Sequence, residues 1–224
     1  MEERIEDQPA RMRLTLLNGM IGRLYWSSRD VQAVVASAER TLTLGAAAVA
    51  ADPSLRDRVG PVHYNLASYT WPGWGGDDTK VVLTAAQIER GRRAAHANVA
   101  LHDELGSAPG KRSNSRWMAA AHEIAAGNDS AARRLLGEMR DIAAEHQLDT
   151  GDWIRGWELV MRILRTDEAV TERKELDAIV ARMSSTKEGR FFADQFRVAL
   201  RALAATPCPT VVRCDGPDCV CDAG

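Results

Sequence analysis

The residues best suited to chemistry lie at the C-terminal end of the chain. Its four cysteines, Cys208, Cys214, Cys219 and Cys221, fall in this short region, and the rest of the chain has none. Thiolates are soft ligands, so the group predicts a zinc or copper(I) site, although pairs in structural zinc sites are usually two to four residues apart. The alternatives are a disulfide, a modified thiol or a solvated tail. We predict that residues 207–224 form a flexible cysteine-rich tail.

The five histidines are the next candidates, because imidazole titrates near physiological pH. His96 and His102 are six residues apart, about 600° around a helix, and therefore on different faces. His63, His122 and His146 fall on separate predicted helices, away from any HExxH pattern. We predict surface or helix-end positions for all five.

A third candidate is the segment that begins at Trp71 and continues Pro-Gly-Trp-Gly-Gly-Asp-Asp. Trp74 is predicted to offer a stacking surface to a sugar or a peptide proline, with Asp77 and Asp78 at its rim. The alternative is that both tryptophans fold back over the end of the core. An enzyme site of unknown chemistry beneath this loop is a further possibility. The glycines follow no strand and precede no lysine, so the segment is no phosphate-binding loop.

Composition and charge exclude several classes of protein. The 224 residues include 29 basic and 31 acidic side chains, a formal net charge of −2, so no nucleic-acid partner is expected. The N-terminus is charged and lacks the apolar stretch of a signal peptide. The longest weakly polar run, residues 42–51, is too short to cross a bilayer. We therefore expect a soluble, cytoplasmic protein without membrane association.

Apolar residues recur at helical spacing along nearly the whole chain, and strand patterns are almost absent. Leu14, Leu17 and Ile21, for example, share one face of a first helix. Breaks rich in glycine and proline occur near residues 72–83 and 106–115, which predicts long loops there. Residues 1–206 are thus predicted to be one all-α domain of about eight helices, arranged as antiparallel hairpins.

One hairpin carries a family pattern. Gly127-Asn128-Asp129, followed by Ala132, Leu136 and Met139, resembles the turn and second helix of a tetratricopeptide repeat, with small and bulky residues at the same intervals. Residues 64–67 resemble part of the first helix of another repeat. The resemblance implies a stacked, right-handed array of helical hairpins that shelter one another's apolar faces.

Such arrays bind peptides or partner proteins along a concave surface, and the resemblance implies that role here. We predict partner-binding positions at Tyr64, Asn65, Asn98 and Trp117, together with Trp74. The first hypothesis is therefore a non-enzymatic protein that binds a protein or peptide and has no cofactor. The alternatives are a metal-binding or thiol-redox protein that uses the cysteine tail, and an enzyme with its site near Trp74.

Overall fold

A computed structural model of the chain describes residues 9–74, 81–166 and 168–204. Every regular element in this part is helical and none is a strand, which confirms the predicted all-α class. Within the described residues, two 3₁₀ helices, Pro53–Arg58 and Pro72–Trp74, accompany nine α-helices, where about eight helices were predicted. The α-helices are α1 (Ala10–Ser28), α2 (Val31–Ala51), α3 (Gly60–Tyr69), α4 (Ala85–Glu104), α5 (Pro109–Ala125), α6 (Asp129–His146), α7 (Gly151–Ile163), α8 (Val170–Met183) and α9 (Lys187–Ala204).

Local sequence signals explain several helix ends. The Thr84 hydroxyl accepts a hydrogen bond from the Gln87 backbone N–H at 3.2 Å, and the Thr84 N–H donates to the Gln87 side chain at 2.8 Å. This capping box satisfies two N–H groups that the first turn of α4 leaves without helical partners. Asp30 caps α2 in the same way. Gly127, with φ of 77°, closes α5 in the left-handed conformation that favours glycine.

The predicted loop at residues 106–115 is wrong, because α5 already begins at Pro109. Proline is tolerated there, since the first helical turn does not need its N–H group. Tertiary contacts then hold the polar first half of α5. Arg116 donates to Asp103 of α4 and to Glu138 of α6, both at 2.8 Å. The connection between α4 and α5 is therefore short, and the two helices pack together.

Each α-helix packs against the next α-helix along the chain, and the 3₁₀ helix Pro53–Arg58 connects α2 to α3 and contacts both. Odd-numbered helices also contact one another, α1 with α3, α3 with α5 and α7 with α9. The 3₁₀ helix Pro72–Trp74 contacts helices that are distant in sequence, because it packs against both α5 and α9. The connection from α3 to α4 therefore folds across the odd-numbered helices and joins the middle of the chain to its last helix.

The helix α2 contains the weakly polar run at residues 42–51 and is about twice as long. The whole of α2 is long and apolar enough, by length and composition alone, to cross a membrane. A core helix of a soluble protein passes the same test. Two charged residues, Glu39 and Arg40, lie in the middle of α2, and Glu39 forms an ion pair with Arg90 of α4 at 3.2 Å.

Candidate functional site

Aromatic side chains from four odd-numbered helices and one 3₁₀ helix meet in a single group, which we name the aromatic cluster. Aromatic pairs prefer tilted or edge-to-face contacts with centroids about 4.5 to 7 Å apart, and the neighbours in the cluster obey this geometry. Its members are Tyr64 (α3), Trp71 and Trp74, Trp117 (α5), Trp153 and Trp157 (α7), and Phe192 and Phe196 (α9).

The cluster runs from the deepest part of the molecule to its surface. Trp157 and Phe196 are fully buried, with ring centroids 5.5 Å apart. Trp153 bridges outward, 5.3 Å from Trp117 and 5.0 Å from Phe192. Phe192 is 42% exposed. The outer edge of the cluster is thus an apolar surface held in place by a rigid interior.

The structure places Trp71 and Trp74 in the folded-back arrangement. The buried indole N–H of Trp71 donates to the Ala121 carbonyl of α5 at 2.9 Å, and its ring meets Trp157 edge-on at 5.6 Å. Trp74 is half-buried and packs edge-on against Trp71 at 4.9 Å. Asp77 and Asp78 lie outside the described residues. Trp74 is therefore a packing contact of Trp71 and not a free-standing stacking surface.

Two predicted partner-binding residues lie in the interior. Asn98 is 2% exposed and Trp117 is 3% exposed. Asn98 lies on α4 beside Gly60 and His102, and the absence of a side chain at Gly60 leaves room for both. Neither Asn98 nor Trp117 offers a surface to a partner, which corrects their predicted role. Burial of a single asparagine is decided by which helix packs over it, and spacing along the chain does not show that.

The other two predicted positions, Tyr64 and Asn65, lie at the edge of the cluster on α3. Asn65 donates from its amide to the Asn18 side chain of α1 at 2.9 Å. Burial raises the pKa of Tyr64 to about 12, and the nearby Asn114, an exposed residue of α5, opposes this rise only in part. We name Asn18, Asn65 and Asn114 the amide row. It crosses three odd-numbered helices and meets the aromatic cluster at Tyr64.

The sequence did not single out Asn18 or Asn114. An isolated asparagine on a helix is usually a solvated surface residue, and no periodic pattern connects positions 18, 65 and 114. The helix packing brings Asn18 against Asn65. The one available signal was chemical, since asparagine is a weak helix former and all three residues lie within helices.

A buried carboxylate lies beside His96, which was predicted to be a surface or helix-end residue. Glu123 of α5 is almost fully buried and lies 2.6 Å from the His96 ring and 3.1 Å from Arg92, both on α4. Burial acts to raise the pKa of Glu123, but hydrogen bonds from His96 and Arg92 outweigh it and hold this pKa below its usual range. The carboxylate is therefore charged, and it ties α4 to α5.

An imidazole oriented by a carboxylate has the composition of a general base. Catalysis also needs a substrate cavity beside it, and two cavities in the described part of the chain lie elsewhere. One, of about 290 Å³, lies between α6 and α7, and the other, of about 570 Å³, lies between α8 and α9. Neither borders Glu123 or Trp74. What the structure shows at Glu123 is an ionic and hydrogen-bonded connection between α4 and α5.

His122 is the second histidine whose position differs from the prediction, because it is buried where α3, α4 and α5 meet. Its Nε2–H donates to the Ala67 carbonyl at 3.0 Å, and Gly91 lies against the ring. Burial lowers the pKa of His122 to about 4, so the ring is neutral at pH 7. His102 is also buried, and burial lowers its pKa as well.

Because His122 is buried in its neutral form, we expect the free energy of unfolding to depend on pH. The unfolded chain protonates this ring near pH 6.5, whereas the folded protein resists protonation down to about pH 4. The free energy of unfolding should therefore fall by about 3 kcal/mol from this residue alone as the pH drops through that window. Urea unfolding at pH 7 and pH 4 measures the loss.

The matched comparison is His122→Gln, whose amide N–H can still donate to the Ala67 carbonyl but does not titrate. His63 and His102, whose pKa values burial also lowers, are present in both proteins, so their contributions cancel. The parent protein should lose about 3 kcal/mol more than the variant between the two pH values. Equal losses would show that His122 is protonated in the folded state.

The predicted metal site at Cys208, Cys214, Cys219 and Cys221 lies outside the described residues and stays a prediction. Within residues 9–74, 81–166 and 168–204, no group of three or more His, Cys, Asp or Glu side chains is placed to hold a metal ion.

Comparison with known proteins identifies no relative. No protein-family model, no curated protein and no solved structure matches the chain. The resemblance of residues 127–139 to a tetratricopeptide repeat therefore stays a prediction.

Proposed function

We propose that this protein binds an extended segment of a partner protein across its odd-numbered helices, with the helical hairpins stacked as in tetratricopeptide-like arrays. The observation that carries the proposal is the position of two members of the amide row, Asn65 and Asn114, beside Tyr64 of the aromatic cluster. The buried ring of Trp117 links Tyr64 to Trp153, and Trp153 contacts the exposed Phe192 of α9.

The chemistry of this surface suits a peptide. A primary amide offers both an N–H donor and a carbonyl acceptor, as every peptide unit does, so asparagines can pair with an extended backbone whatever its sequence. Aromatic rings supply large apolar contact area at little cost in conformational entropy. The row would hold the backbone of the segment, and Trp153 with Phe192 would select an apolar or proline side chain.

No observation on the described residues favours the two alternative functions. The pair of Glu123 and His96 borders neither of the two cavities described above, and the cysteines of the predicted metal or thiol-redox site lie outside the described part. Peptide binding is the function that the arrangement of exposed polar and apolar side chains supports best.

Selection of binders from a random library of displayed 12-residue peptides tests the proposal. Peptides that bind the parent protein should bind the double variant Asn65→Ala, Asn114→Ala at least about tenfold more weakly, because two backbone hydrogen-bond partners are lost. Trp153→Ala should weaken binding by a similar factor and should change which apolar residue the selected peptides share. Isothermal titration calorimetry measures each affinity.

Gln32→Ala is the control, because it removes the same amide group from α2, an even-numbered helix. It should leave the affinity of every selected peptide unchanged. Circular dichroism of each variant checks that the helices persist. Selected peptides that bind the Asn65 and Asn114 variant as tightly as the parent would show that the peptide-binding surface lies elsewhere.

A further inference from the structure

The cavity of about 570 Å³ between α8 and α9 is lined by three arginines, and we name it the arginine cavity. Arg173 belongs to α8, and Arg197 and Arg201 belong to α9. Arg197 and Arg201 are four residues apart, which places them on one face of α9 and about 6 Å apart along its axis. Two packed helices therefore bring three arginine side chains to one space.

The residues of the arginine cavity do not balance its charge. Asp194 is the acidic residue that lines it, so three positive charges face one negative charge and leave a net charge of +2. The Asp194 carboxylate lies 3.5 Å from Arg197, and both side chains are more than half exposed, so this pair contributes little. Within residues 9–74, 81–166 and 168–204, Arg173 and Arg201 form no ion pair.

Two other arginines of α7 and α8 are paired across these helices. Arg155 binds Glu175 at 2.7 Å, and Arg182 binds Asp152 at 2.7 Å. In the arginine cavity, two of the three arginines lack such a partner in the described part of the chain. Like charges four residues apart on a helix also repel each other. An anion in the cavity would supply the missing partner and relieve the repulsion.

The charge and the size of the arginine cavity indicate the class of anion. A phosphate monoester carries about −1.5 to −2 charges near pH 7, which matches the net charge of +2, whereas a carboxylate carries a single negative charge. Guanidinium groups bind phosphate oxygens through pairs of hydrogen bonds. The volume falls in the range of roughly 300 to 1,000 Å³ that is typical of small-molecule sites.

The arginine cavity also has an apolar side. Val198 and Leu200 line it, and Leu200 packs against the hydrophobic core of the protein. Apolar side chains beside a positively charged group suit a ligand that has a phosphate at one end and an apolar group at the other.

We propose that the arginine cavity binds a small phosphate monoester that carries an apolar or aromatic group. The three arginines hold the phosphate, and Val198 and Leu200 contact the apolar group. This site is separate from the proposed peptide-binding surface, because Phe192 and Arg201 lie about 180° apart around α9.

Phenyl phosphate is the probe, and it is compared with inorganic phosphate, benzoate and benzyl alcohol at low ionic strength. With valine and leucine methyl groups labelled by ¹³C, the NMR signals of Val198 and Leu200 should shift on titration with phenyl phosphate. Those of the buried Val34 and Leu136 should stay in place. Phenyl phosphate should bind at least about tenfold more tightly than benzoate or benzyl alcohol, and more tightly than inorganic phosphate, because it alone combines the double charge with a ring.

The double variant Arg173→Gln, Arg201→Gln removes the two unpaired charges of the arginine cavity. It should weaken binding of phenyl phosphate at least about tenfold, because charge-assisted hydrogen bonds are lost. Its thermal midpoint without ligand should equal or exceed that of the parent protein, since the substitutions break no ion pair of the described part. Arg11→Gln with Arg23→Gln is the matched control. It makes the same change in net charge with two exposed arginines of α1 and should leave the affinity unchanged.

Three results would overturn the proposal. The first is that phenyl phosphate shifts neither labelled signal of the cavity, or binds no more tightly than benzoate. The second is equal affinity of the parent protein and the double variant for phenyl phosphate. The third is binding that appears only when Asp215, Asp218 and Asp222 are replaced with asparagine, which would identify this acidic segment of the chain as the occupant. The variants of Asn65 and Asn114 should bind phenyl phosphate normally, so the two proposals fail independently.

Discussion

Replacement of Trp71 with alanine should lower the free energy of unfolding by about 3 to 5 kcal/mol. The side chain is buried, packs on Trp157, and donates its indole N–H to the Ala121 carbonyl. The substitution removes the ring contacts and also leaves a buried carbonyl without its donor. The thermal midpoint should fall by roughly 10 °C for a chain of this size. Thermal and urea unfolding followed by circular dichroism measure both quantities.

The loss of stability in the Trp71→Ala variant should be greatest where the 3₁₀ helix Pro72–Trp74 packs against α9. Because that segment packs on both α5 and α9, loss of Trp71 should increase amide hydrogen exchange in α9 more than in α2. Trp74→Ala is the matched control, since Trp74 is only half-buried, and it should cost about 2 kcal/mol or less. Equal costs for the two substitutions would contradict the anchoring role of Trp71.

The second large effect is expected at Gly156 of α7. A methyl group there would lie 2.6 and 2.7 Å from two carbon atoms of the Phe196 ring, well inside the normal contact distance. Phe196 is fully buried and cannot swing aside. Gly156→Ala should therefore destabilise the protein by about 3 kcal/mol, in spite of the better helix propensity of alanine. Urea unfolding gives the free energy.

Two comparisons identify the cause. Gly137→Ala, in the middle of α6, adds a methyl group that meets no atom within 4 Å, and should stabilise the protein by about 0.5 to 1 kcal/mol. Phe196→Leu removes the ring, so the double variant with Gly156→Ala should be clearly more stable than the sum of the two single losses. Additive losses would mean that the ring does not cause the effect.

The packing around Trp71 and Gly156 also matters for the proposed peptide-binding surface. Trp153 and Phe192 present their exposed edges because Trp157 and Phe196 fill the space beneath them. A binding surface built on a rigid interior loses little conformational entropy when a ligand binds. We therefore expect that Gly156→Ala, under conditions where it stays folded, also weakens binding of the selected peptides.

The class of fold and much of the local structure follow directly from the order of residues along the chain. Helical spacing of apolar residues needs only neighbours along the chain, so it predicted nearly every helix. The capping box at Thr84 and Gln87 and the left-handed Gly127 are likewise local, because each depends on residues within about one helical turn. The loop predicted at residues 106–115 failed because contacts of Arg116 with two other helices stabilise a polar helical turn that local propensity leaves undecided.

Tertiary structure alone decided which side chains are exposed. Asn65 and Asn98 are both asparagines in helices, yet one meets Asn18 at the protein surface and the other is buried beneath Gly60. His122 and Glu123 are neighbours in sequence, and burial keeps the first neutral while Arg92 and His96 keep the second charged. The physical reason is that burial and pairing depend on which helices pack together, and residues far apart in sequence determine that.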